Sequence, residues 1–96
     1  MAASTYVVIA RIPTAGIHAF QRYEEAVLPL LGHHGGRLAR RLRSAAGDVE
    51  VHVVEFASPD GLAAYRDDPR RAAHAGLLAA SGAQMQLVEV ADVPTA

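Results

Sequence analysis

The chain has 96 residues, enough for one small domain (1–96) with a thin core, and its 51% hydrophobic and 20% charged content excludes a disordered chain. It has no cysteine, and all nine basic residues are arginine. This removes disulfides, thiolate chemistry, a lysine Schiff base and a phosphate-loop lysine. A net charge of −1 is no electrostatic footprint for a nucleic-acid duplex.

Thr5 to Ile12 is β-branched and apolar and predicts a strand buried on both faces, ended by Pro13. From Ile17 the period becomes helical. Ile17, Phe20, Tyr23, Val27 and Leu31 form one stripe, with Gln21, Arg22, Glu24 and Glu25 mostly off it. Pro29 predicts a kink or a tightened last turn, and Gly32 with Gly35-Gly36 ends the helix. Arg37 to Arg43 and Val49 to Phe56 predict a β-hairpin around Ser44–Asp48. A turn symmetric about residue 46 sets Arg37 opposite Glu55 and Arg40 opposite His52. Ser58-Pro59 predicts a helix start, with the helix running to about Arg66. Asp67-Asp68-Pro69 restarts it, and the second piece runs from Arg70 to Ser81, stopped by Gly82. Gln84 to Ala91 alternates as a last strand, and Asp92 to Ala96 reads as a frayed tail on a core of residues 5–91.

The order β-α-β-β-α-β predicts an α+β ferredoxin-like sandwich with both helices on one face of the sheet. The other face should then meet water or another layer. The first and third strands are apolar on both sides, with Val7 and Ile9 backing Tyr6 and Val8, and Val51 and Val53 backing His52 and Val54. The uncovered face is therefore expected to be buried in a homodimer, the alternative being a monomer with an apolar face. The first residues hold no signal-peptide pattern, and no apolar run approaches the ~20 residues that span a bilayer. A soluble cytoplasmic protein with no membrane or nucleic-acid partner is expected.

Gly35-Gly36-Arg37-Leu38-Ala39-Arg40-Arg41, after an amphipathic helix, resembles a Gly-Gly-Arg-then-strand segment of the dimeric α/β-barrel superfamily. Val54-Glu55-Phe56-Ala57-Ser58 is similar to the same group's strand that runs into a capped helix. The resemblance covers Tyr6 to Val90 and points to a small branch related to antibiotic-biosynthesis monooxygenases, EthD-like proteins and muconolactone isomerases. It implies a dimeric barrel with a small-molecule pocket between sheet and helices. The position of His74 resembles a histidine that borders the pocket in several relatives. The quinone-forming and haem-degrading branches rely on Trp or Asn, and this chain has neither.

His74 and His52 are the candidate general bases. For His74 the alternative is a surface histidine; for His52 it is a hydrogen-bonded structural one. Arg11, charged near the end of a central strand, is expected either to pair with an acid across a dimer or to contact an anionic ligand. Tyr65 is the pocket-wall tyrosine, able to orient a phenolic or carbonyl oxygen. Arg41 and Glu55 complete the substrate-contact candidates. His33 and His34 sit at a helix end, about 100° apart, which suits capping better than chelation, and no spacing matches a metal site. The expectation is a cofactor-independent enzyme of specialised metabolism. It would carry out acid–base cyclisation or isomerisation of an aromatic or polyketide-like compound. The alternatives are a noncatalytic dimeric binding protein and a cofactor-free monooxygenase.

Overall fold

A computed structural model describes residues 3–95; of the expected tail, Ala96 lies outside the described residues. Strand β1 spans Ser4–Arg11 and is followed by a 3-10 turn at Thr14–Gly16. Helix α1 spans Ile17–Val27, where its α-helical bonding gives way to a 3-10 stretch, Leu28–His34. Pro29 sits in the first turn of that stretch and forces the tightening expected of it. Gly35 closes it in the left-handed conformation (φ 68°), which suits a residue without Cβ.

Strands β2 (Gly36–Arg43) and β3 (Val49–Phe56) follow, then helices α2 (Gly61–Arg66), α3 (Pro69–Ala72) and α4 (Ala75–Ser81), and strand β4 (Gln84–Val90). Asp68 caps α3: its carboxylate accepts from the Arg70 amide at 2.8 Å, with Pro69 in the first turn. Two expectations need correction here. Helix α2 begins at Gly61, not at Ser58-Pro59. The piece expected to run unbroken from Arg70 to Ser81 is divided at Ala73–His74.

The four strands form one antiparallel sheet in the order β2-β3-β1-β4, the ferredoxin-like arrangement. The described residues measure 41 × 36 × 16 Å, a thickness that allows one sheet and one helical layer. The helical layer buries two apolar clusters. One gathers Leu31, Val54, Phe56 and Tyr65; the other gathers Ala10, Ile12 and Phe20 against Leu78. Glu50, His52, Val54 and Phe56 of β3 are buried on this side, while Val51 and Val53 on the bare side are half-buried. Among the described residues no helix is long and apolar enough to cross a membrane.

The hairpin register departs from the symmetric expectation. Arg37 does face Glu55, but a β-bulge between Leu38 and Arg40 shifts the rest, so that Arg41, not Arg40, faces His52. The extra residue reverses which side chains point inward. In a regular pairing of the same residues, with Ala39 opposite Val53, Arg40 and Leu42 would turn to the helices. With the bulge, Arg41 and Arg43 do.

Candidate functional site

The bulge delivers two arginines to a carboxylate that has no access to water. Glu50 is 1% exposed. It accepts from Arg41 Nε and Arg43 Nε, each at 2.8 Å, and lies 2.8 Å from His52 Nε2. Burial alone would raise its pKa, but hydrogen bonds from Arg41, His52 and Arg43 outweigh that and hold it at about 2. An ionised carboxylate only accepts, so the proton on the imidazole sits at Nε2. The Nδ1 lone pair then faces Glu24 Oε2, 3.3 Å away.

Glu24 is 3% exposed. Burial pushes its pKa up to about 7, only partly opposed by the charge of Arg41. His52 is buried too, and desolvation lowers its pKa below the ordinary 6.5 despite the pull of Glu50. The result is a line of groups running from a neutral-range carboxyl through a neutral imidazole to an ionised carboxylate and two guanidiniums. Glu24, expected off the apolar stripe of α1, is buried with it. It lies four residues after Phe20 and three before Val27, which puts it on their face. That spacing was the signal available in the sequence.

Glu24 and His52 form the polar wall of a cavity between the helices and the sheet. Its free volume is about 60 Å³, and its other walls include Val8, Leu28, Val54, Leu62 and Met85. It continues into an outer vestibule of about 220 Å³ between α2 and β4, lined by Leu62, Arg66, Met85, Gln86 and Leu87. Tyr65 and Arg71 line both chambers. The Tyr65 hydroxyl donates to the Val27 carbonyl at 3.1 Å. Burial pushes its pKa up to about 12, so it is no base, and it offers the cavity a ring face and acceptor lone pairs.

His52 and Tyr65 thus share one cavity, and Arg41 stands behind His52 through Glu50. The other named residues lie elsewhere. His74 occupies the break before α4, half-exposed, and is not part of the cavity lining. Arg11 lies apart from the cavity, exposed in the single chain in a surface hollow with Asp48 and Gln84. Glu55, half-buried, pairs with the exposed Arg37 on the bare sheet face. His34 Nε2 reaches the Asp68 carboxylate at 2.7 Å and so ties the 3-10 stretch to α3, the sort of structural duty expected at that helix end.

No protein-family model matches the sequence, and no curated protein matches it. Solved structures do match over nearly the whole chain. SnoaB, a cofactor-independent oxygenase from Streptomyces nogalater, is 16% identical with a TM-score of 0.72, over 99% of this chain and 97% of its own. A proposed antibiotic biosynthesis monooxygenase from Nitrosomonas europaea is 16% identical with a TM-score of 0.77, over 95% of this chain and 90% of its own. Rv0793 from Mycobacterium tuberculosis is 15% identical with a TM-score of 0.75, over 99% of each chain. The fold is that of the antibiotic-biosynthesis monooxygenase-like proteins. At such identities the likeness to these monooxygenase-like proteins carries the architecture, and the chemistry has to come from the residues of this chain.

Proposed function

We propose that the protein is a cofactor-independent enzyme that moves protons on a small aromatic or polyketide-like compound, the first step of an isomerisation or cyclisation. The observation that carries this reading is the Glu24 carboxyl, at about 7, on the wall of an apolar cavity with a neutral His52 behind it. A base poised near neutrality is what enolisation needs. Ionised Glu24 takes a proton from carbon beside a carbonyl, the C–H electron pair moves onto the carbonyl oxygen, and the same proton returns at that carbon or at another. His52 steadies the protonated state of Glu24, because its Nδ1 accepts the carboxyl proton. Glu50 fixes the tautomer that leaves Nδ1 open.

The likeness to SnoaB favours a second reading with the same first step. Dioxygen, in place of a proton, captures the carbanion, and the hydroperoxide formed loses water to leave a new carbonyl. The substrate is oxidised and dioxygen reduced.

The test uses 2-tetralone, an enolisable bicyclic ketone, in heavy water. The wild-type protein is expected to speed exchange of its α-hydrogens, with Glu24→Gln losing ~100-fold or more and His52→Gln losing part of the rate. Equal exchange by wild type and Glu24→Gln would overturn the assignment of the base. Oxygen uptake during the same reaction would select the second reading.

The bare sheet face supports a homodimer. It carries Val7, Ile9, Val51 and Val53 beside the exposed Leu42, Val88 and Val90. An apolar face of this breadth is unusual on a monomer. A second copy of the chain fits it by self-complementarity.

A further inference from the structure

Arg71 stands at the neck between the inner cavity and the vestibule and lines both. Its guanidinium carbon lies 4.5 Å from the centre of the Tyr65 ring, and Nη2 donates to the Tyr23 hydroxyl at 2.9 Å. These contacts fix the plane of the group from two sides. They do not neutralise it: Arg71 takes part in none of the ion pairs found among the described residues. Its Nε is buried and has no hydrogen-bond partner, the only such side-chain nitrogen or oxygen among the described residues. Arg41 and Arg43 make a direct contrast, since each gives its Nε to Glu50. A buried donor without an acceptor costs free energy, and a ligand that supplies the missing acceptor recovers it.

We propose that Arg71 is the anion contact of the cavity, and that the ligand is an aromatic compound whose oxygen becomes a delocalised oxyanion, an enolate or phenolate. This deepens the proton-transfer reading and rests on it. The apolar vestibule between Leu62, Met85 and Leu87 takes the rings, and the oxygen reaches Arg71 at the neck. Glu24 removes the proton on one side of the cavity, and the charge released onto oxygen meets a guanidinium already oriented by Tyr23 and Tyr65. A fixed cation aimed at developing charge stabilises the transition state more than the neutral ground state. A guanidinium suits the task because its planar donors meet a delocalised oxygen at little reorganisation.

The probe is 4-nitrophenol, whose ionised form is yellow, held at a fixed pH near its own midpoint. Adding wild-type protein is expected to deepen the colour, because the site takes up the phenolate in preference to the phenol by about tenfold. Arg71→Met is expected to give no such rise. Arg71→Lys keeps the charge without the planar fork and should retain a smaller one. Glu24→Gln separates the two claims: it loses exchange on 2-tetralone yet keeps the rise in colour. A fall or no change in colour with wild-type protein would overturn the proposal. So would a rise that survives in Arg71→Met but disappears in Glu24→Gln, which would leave Glu24 as base and remove Arg71 from the site.

Discussion

Glu24 and His52 carry opposite pH signatures, and the signs follow from where each proton sits. The folded carboxyl of Glu24 lies at about 7 against an ordinary 4.5. Between those values the folded chain holds a proton that the unfolded chain has released. Stability from this group is therefore lost as pH rises through that window. His52 acts the other way. Its folded pKa is depressed, so the unfolded chain protonates first and stability is lost as pH falls below 6.5. Glu24→Gln removes the first effect only. Relative to wild type, the variant should gain roughly 3 kcal/mol between about pH 4.5 and about pH 8, read by urea unfolding at each pH. A constant difference between the two proteins across that range would show that Glu24 titrates normally. His52 was legible as a strand histidine needing a partner. Its partners were legible only as facing inward, Glu24 by its spacing from Phe20 and Val27 and Glu50 by its place two residues before His52; that helix and strand bring the three together is tertiary detail.

Element boundaries were legible wherever a backbone-specific residue sets them. Pro29 marks the change to 3-10 geometry, Asp68-Pro69 opens α3, and Gly82 ends α4 in the left-handed conformation at φ 69°. The bulge in β2 was not legible, because Leu38-Ala39-Arg40 contains no glycine or proline to announce it. Yet that bulge decides which arginines reach Glu50. Replacing Arg41 and Arg43 together by methionine would leave a buried carboxylate without its cations. The expected cost is about 3 kcal/mol or more, visible as a lower urea midpoint. An unchanged midpoint would mean that the arginines do not hold Glu50 in its buried place.

At the scale of the molecule, composition hid more than it told. The absence of lysine suggests coding bias, since alanine, arginine, glycine and valine dominate the chain. What matters is where the arginines fall: Arg41 and Arg43 on Glu50, Arg71 at the neck of the cavity, Arg11 in the open. The split βαβ order and the two-faced apolar strands made the ferredoxin-like sandwich readable, because both follow from period-2 and helical patterns that one sequence displays. The proposed homodimer rests on the same faces. Light scattering should give a mass near twice 10.1 kDa, and Val51→Glu, which sets a charge in the middle of the bare face, should return it to one chain. A wild-type mass of a single chain would contradict the assembly.

The proposed chemistry turns on Glu24 as a base that works near neutrality. The most direct measurement is the pH profile of α-hydrogen exchange on 2-tetralone, corrected for exchange without protein, from about pH 5 to about pH 9. The wild-type rate should climb through about 7 and then level as Glu24 becomes fully ionised, and Glu24→Gln should stay at the uncatalysed baseline throughout. A flat wild-type profile, or a Glu24→Gln profile that follows the wild type, would contradict it.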